Sequence, residues 1–293
     1  MALSFLLGQI FSGLTTAMFL FLIASGLSLV FGVMRVLNFA HGSFYMIGAY
    51  LAWQGVHWLT PLAGSFWLAA LLSAAGVALL GGVVERLLLH RLYGREELYQ
   101  LLLTYALVLI LADAAKFIWG TAQLSVATPK LLAGSLRILG ADLPLYNLFI
   151  ILLGPLIAVL GWLVLYRTGP GRMVRAAALD REMLQALGAD VGALYTMMFV
   201  ASAFLAGLAG ALVSPIESVV PGMDVEIIVQ AFIVVVIGGL GSFWGTFWGS
   251  LIYGEVLAFG ILIVPGFSLF SVFALMAVIL IVRPWGLLGQ PIR

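Results

Sequence analysis

The sequence predicts an all-α, polytopic membrane bundle of about eight transmembrane spans with a broken or re-entrant segment. Three observations predict it: the composition, the spacing of the apolar runs and the glycine content. Of the 293 residues, 64% are apolar and 9% charged, whereas soluble domains carry about 45–50% and about 25%. The apolar complement suffices for about nine helices of the roughly 20 residues that cross a bilayer. The 34 glycines suit helices that must approach closely where lipid supplies no hydrophobic force between them. A soluble enzyme is excluded, and a net charge of +1 leaves no footprint for nucleic acid. The absence of cysteine excludes disulfides, thiolate metal sites and thiol nucleophiles.

Taken in order, the clearest apolar runs are 6–33, 43–59, 65–84, 98–119, 146–166 and 194–213. The first Lys or Arg is Arg35, so the first run lacks the basic start of a secretory signal and is expected to stay as a span. After Glu226 come 227–237, 247–264 and 267–282, separated by glycine clusters and Pro265. The run 227–237 is short for a span and reads as re-entrant or as a crossing. Interrupted backbone at membrane depth marks a pathway rather than a lipid face.

Arginines set the orientation. Arg86, Arg91 and Arg95 lie in one loop, and Arg167, Arg172, Arg175 and Arg181 in another two crossings later, so one side suits both. That side is assigned to the cytoplasm, with the tail that carries Arg283 and Arg293. The connection 120–144, with Lys130 and Arg137, then lies outside, as do 214–226, which has acids but no bases, and the N-terminus. A re-entrant 227–237 would put the tail outside instead, and both parities stay open.

Several chemistries are missing. The only lysines, Lys116 and Lys130, end no phosphate-binding loop, so any ATP must be hydrolysed by another chain. His41, His57 and His90 lack metal-ligand spacing. No metal, catalytic group or cofactor is expected on this chain.

The segment 167–190 is the most informative. From Met173 to Leu187 it is rich in helix formers, and Gly188 supplies a stop. Met173, Ala176, Ala177, Leu184 and Leu187 gather on one face of that helix, with Arg175, Arg181, Glu182 and Gln185 opposite. Asp180 falls in the apolar face, where it must either pair with an arginine such as Arg172 or cap backbone amides. The helix reads either as interfacial, touching headgroups, or as a docking surface for a cytoplasmic partner.

Arg35, Asn38 and His41 interrupt apolar sequence at intervals of three. Arg35 reads either as a polar group facing the bundle or a cavity or as part of a cytoplasmic turn, snorkelling to headgroups, and Asn38 and His41 as hydrogen-bonding groups that hold a broken helix beside a pathway. Ser43 completes this set of path candidates. Gly241, Gly245 and Gly249 form one small-residue stripe for helix packing, and Ser202, Ala206 and Gly210 another. The run 238–241 also reads as a bend. Asp113 and Lys116 are spaced for a local ion pair. Glu255 is an isolated intramembrane acid and a further path candidate.

These stretches resemble the LivH-type permease subunits of branched-chain amino acid ABC importers. The resemblance rests on Gly26-Leu27 with Phe31-Gly32, Asn38-Phe39-Ala40-His41-Gly42 and Gly48-Ala49-Tyr50. It continues in Arg175-Ala176, Asp180, Leu187-Gly188, Gly238-Gly239-Leu240-Gly241-Ser242, Arg283-Pro284 and Gly286-Leu287. Each is weak alone, and together they run in family order over nearly the whole chain.

The resemblance implies a single permease domain, 1–293, in the bacterial inner membrane. Its expected partners are a second related permease, two cytoplasmic ATPase subunits holding ATP and Mg, and an external substrate-binding protein. The stretch at about 171–188 resembles the coupling helix, which implies that Arg175, Asp180, Glu182, Leu184, Leu187 and Gly188 contact or shape the ATPase docking surface. Relatives also move urea, amides or aromatic acids. The rival of another class is a secondary transporter or channel working without an ATPase.

Overall fold

The protein is described from a computed structural model, which covers residues 2–59, 64–263, 266 and 268–289. Pro265, Arg293 and the span ends at 264 and 267 lie outside the described residues. Every apolar run in the sequence folds as a helix. These are α1 (Ala2–Met34), α2 (Ala40–Leu59), α3 (Ser65–Leu87), α4 (Glu97–Trp119), α5 (Leu145–Arg167), α8 (Val191–Val213), α9 (Met223–Gly238), α10 (Phe243–Ile263) and α11 (Ser268–Val282). Two short helices, α6 (Gly169–Leu179) and α7 (Arg181–Ala186), lie between α5 and α8.

Among the described residues, six helices are long and apolar enough to cross a membrane: α1, α3, α4, α5, α8 and α10. The other three differ in kind. Polar residues dilute α2, while α9 and α11 have 16 and 15 residues, about 24 and 22 Å at 1.5 Å per residue, against a hydrocarbon core of about 30 Å. The expectation of an all-helical chain needs one amendment. In the connection before α5, β1 (Ser135–Ile138) pairs antiparallel with β2 (Ala141–Pro144). Leu139 and Gly140 both take positive φ, 48° and 85°, as a two-residue hairpin turn requires.

The chain divides into two compact units. One comprises Met1–Ser25, Thr128–Leu160 and Gln230–Arg293, the other Gly26–Ala127 and Gly161–Val229.

In the first unit, small residues let α10 approach its neighbours. Gly254 lies against the Gly13 carbonyl and Ala17 of α1, the Gln9 amide donates to the Ala258 carbonyl, and Phe21 meets Phe247 edge-on at 5.2 Å. Gly245 and Gly249 press on Gly238 and Val234 of α9. Gly241 does not continue that stripe: it sits in the turn between α9 and α10 with φ 79°. Past α11 the chain returns to this turn. Leu287 and Leu288 donate their N–H groups to the carbonyls of Ile237 and Gly238 at 2.9 and 3.0 Å, satisfying two of the orphan carbonyls at the end of α9. Gly286, at φ 77°, packs on Gly239. Two sequence motifs far apart in the chain thus interlock.

The core of the second unit is α2, α3 and α8. A Cβ on Gly48 would stand 2.4 Å from the Gly207 carbonyl oxygen, and one on Gly210 would stand 1.9 Å from that of Tyr45. These helices meet backbone to backbone, as small residues permit. The Ser73 hydroxyl donates to the Gly48 carbonyl at 2.6 Å, and Phe44 meets Phe199 edge-on at 5.9 Å.

Candidate functional site

Two places in the second unit collect the polar side chains that an apolar bundle has to justify. The first is the ledge α6–α7. Thr168 opens it, accepting from Gly171 N–H at 3.1 Å while its hydroxyl donates to the Val164 carbonyl at 2.6 Å. Gly171 fits under the Val164 carbonyl, where a Cβ would stand 2.1 Å from the oxygen. The continuous helix expected over 173–187 is instead two helices. Asp180 breaks it, because its carboxylate accepts from Met183 N–H at 2.9 Å and caps α7; Asp and Asn favour such capping over helix interiors. Of the two roles open to Asp180, the structure takes the cap. Gly188, at φ 86°, ends α7 in the left-handed conformation that glycine adopts most cheaply, and Asp190 caps α8 through Ala193 N–H at 2.9 Å.

The buried face of the ledge matches the expected apolar face only at Ala177. Gly171, Val174 and Ala177 point inward, while Leu179 is 81% and Leu187 77% exposed, with Met183 beside them in solvent. Leu184 is half-buried. The Arg175 guanidinium lies over the Tyr166 ring at 4.5 Å, a cation–π contact, and Glu182 is exposed.

A cavity of about 450 Å³ opens beside the ledge, lined by Arg35, Arg95, Gln100, Asp180, Arg181 and Glu182 among others. The turn after α1, the loop before α4 and the ledge therefore share one side of this unit. Glu85, which the sequence reading passed over, anchors that loop. It is fully buried and accepts from Tyr93 Oη at 2.6 Å and Thr196 Oγ1 at 2.7 Å. Burial pushes the Tyr93 phenol well above its usual range, and the hydrogen bond to Glu85 and that carboxylate's charge add to it.

The second place is where α2 and α9 begin. Arg35 ends α1 with φ 54°, its N–H donating to the Phe31 carbonyl at 3.0 Å. The next residues form neither helix nor strand, with Val36 buried and Leu37 exposed, and Thr104 of α4 donates to the Leu37 carbonyl at 3.4 Å. Asn38 is buried, with Oδ1 unpartnered among the described residues. His41 is buried and shares a 3.3 Å hydrogen bond with Ser202, near the middle of α8. Ser43 donates to Asp224 Oδ2 at 2.9 Å, and Gly42 packs on the Asp224 carbonyl. Asn38, His41 and Ser43 thus gather at a helix start beside the middle of α8. Asp224 joins them unforeseen; its sequence signal was an acid in the first turn of an apolar run.

Glu255 belongs to the other unit. Its carboxylate lies against Gly13, where a Cβ would come within 2.8 Å, and Oε1 has no partner among the described residues. Asp113 and Lys116 form an exposed ion pair at 3.0 Å. His57 bonds the Trp53 carbonyl and His90 packs on Tyr93. Among the described residues no His, Cys, Asp and Glu cluster is placed to hold a metal ion.

Residues 9–282 match the family described as branched-chain amino acid transport system / permease component. The chain belongs to this permease family. The permease is 29% identical to the high-affinity branched-chain amino acid transport system permease protein BraD of Pseudomonas aeruginosa, over 97% of this chain and 96% of that one. It is likewise 29% identical to LivH of Escherichia coli, over 98% and 96%. It is 28% identical to a probable LivH of Methanocaldococcus jannaschii, over 80% of the permease and 75% of the relative. No solved structure matches the permease.

The family resemblance seen in the sequence acquires places in space. The stretch Asn38–Gly42 forms the entry to α2, and Gly48 forms its contact with α8. The ledge carries Arg175, Asp180, Leu187 and Gly188.

Proposed function

We propose that the permease is one of two related membrane subunits of an ATP-driven importer of branched-chain amino acids in a bacterial inner membrane. Two cytoplasmic ATPase subunits bind and hydrolyse ATP with Mg, and an external binding protein delivers the solute. Relatives named for branched-chain amino acid transport and aligned end to end support the substrate class. Two of α2, α9 and α11 cross with those six and the third is re-entrant, which makes about eight crossings.

The observation that carries the reading is the ledge. A pair of short consecutive helices, capped by Thr168, Asp180 and Asp190, holds Leu179, Met183 and Leu187 out in solvent among arginines. Exposed apolar side chains clustered within a polar rim mark a surface that another protein covers. Caps at both junctions tie the ledge to α5 and α8, so a push delivered by the ATPase pair reaches those helices with little lost in bending. Arg175, Asp180, Glu182, Leu184, Leu187 and Gly188 shape this docking surface, and Asn38, His41 and Ser43 line the path, with Glu255 a further candidate. A protein-lined path keeps the charged ends of an amino acid out of hydrocarbon, where each would cost several kcal/mol.

The test is purification in mild detergent followed by reconstitution with the co-purifying ATPase and the binding protein. ATP-dependent leucine uptake is expected, and Leu187→Asp is expected to abolish uptake while hydrolysis continues and the chain stays in the membrane. Undiminished uptake in that variant counts against the ledge as the coupling element. Uptake by the permease alone under a proton or sodium gradient would replace the reading with a secondary transporter.

A further inference from the structure

Asp224 is 1% exposed, yet only half of its carboxylate is accounted for. Oδ2 accepts from Ser43 at 2.9 Å, and no donor among the described residues reaches Oδ1. Leaving such an acceptor buried and unpaired costs free energy that a donor on a bound solute would return. Helix geometry lowers the cost of the charge without supplying the missing donor. Asp224 lies in the first turn of α9 and Ser43 in the first turn of α2, so the positive ends of two helix dipoles meet at this carboxylate.

The surroundings select the sign of a ligand. From Ser214 to Glu226 the chain carries Glu217, Asp224 and Glu226 and no lysine or arginine. Polar atoms without partners continue along the same face of α2. Tyr50 lies seven residues, about two helical turns, beyond Ser43. Its hydroxyl and the indole nitrogen of Trp119, stacked on it at 4.9 Å, are also unpartnered among the described residues.

We infer that Asp224, held by Ser43, is the subsite that receives the ammonium group of the amino acid in transit. Resting on the transport reading above, it names the contact by which the membrane path recognises a zwitterion. An ammonium group donates three hydrogen bonds and carries the opposite charge, so it fills the vacancy at Oδ1 and neutralises the buried acid. Gly42 sits directly on the Asp224 backbone carbonyl, so the subsite is closed in this conformation. It becomes accessible when the starts of α2 and α9 part.

The test uses the whole importer in proteoliposomes, with [14C]leucine on its binding protein and ATP inside. Asp224→Asn keeps the acceptor for Ser43 and removes the charge; uptake is expected to fall about ten- to a hundredfold, the worth of one charged hydrogen bond. Asp224→Glu is expected to retain more uptake than Asp224→Asn, the opposite of the order that a purely structural hydrogen bond would give. Relocating the carboxylate guards against misfolding: Asp224→Ser is expected to lose uptake, and adding Ser43→Asp to restore it. Wild-type uptake in Asp224→Asn, or no gain from the relocated carboxylate in an assembled complex, overturns the subsite. Failure of the wild-type complex to take up leucine would instead overturn the importer reading itself.

Discussion

Two aspartates in this permease stand at the starts of short helices and meet opposite fates. Asp180 is exposed and spends its carboxylate on its own helix, through Met183 N–H. Asp224 is buried, takes its hydrogen bond from Ser43, a residue of another helix, and has one oxygen without a partner among the described residues. In water an acid at a helix start is a local fastener whose loss is partly made good by solvent. Within the bundle the same group has no solvent to fall back on, and any polar capacity left over is available only to whatever passes.

The largest effect expected from breaking this contrast comes from Gly42→Val. A Cβ there would stand 2.4 Å from the Asp224 carbonyl oxygen and 2.9 Å from the Ile228 Cβ. Neither neighbour is the loose end of a flexible side chain, so the starts of α2 and α9 must separate at a cost of at least about 1–3 kcal/mol. Membrane abundance and leucine uptake should both drop, measured by immunoblot and by proteoliposome flux.

Amide substitution sharpens the contrast directly. Asp180→Asn should leave uptake nearly unchanged, because Asn caps as well as Asp, whereas Asp180→Ala should cost about 1 kcal/mol of local helix stability and lower coupling a few-fold. Asp224→Asn should be severe. Equal tolerance of the amide at both positions would erase the distinction.

The smallest effect concerns Glu217, in the loop before α9. Crowding by protein atoms and the charge of Glu226 hold its carboxyl above the usual range. Its ionised form is therefore disfavoured in the folded permease. Stability linked to this group is fully present below the ordinary carboxylate range and is lost as the pH rises through the raised value. Glu217→Gln should raise the unfolding temperature slightly at neutral pH and make no difference in acid.

Much of the architecture was legible because apolar runs and their bounding charges are local signals. The expected runs 65–84 and 98–119 lie inside α3 and α4, which end within a few residues of them. The ledge was half legible. Gly188 announced a stop and Asp180 an irregularity, yet helix-forming neighbours on both sides disguised the break between α6 and α7. Of the apolar face expected there, Ala177 is buried, but Gly171 and Val174 replace Met173 and Leu187 as its inward neighbours, because the break at Asp180 ends the single periodicity that placed Leu187 with them. The junction at Asp224 was least legible. Ser43 and Asp224 are joined only by tertiary folding, and Glu85 depends in the same way on Thr196; no spacing rule connects residues so far apart. Gly241 shows the converse error, a regular interval that continues through a turn where no helix exists.

The stitch between the tail and the end of α9 bears on how the protein is born. The last carbonyls of α9 wait for the N–H groups of Leu287 and Leu288, which leave the ribosome only after α10 and α11. Until then this corner stays unlatched, so a nascent chain cut short before Gly286 would have made α9, α10 and α11 and still lack this clasp, an incompleteness open to proteolytic surveillance.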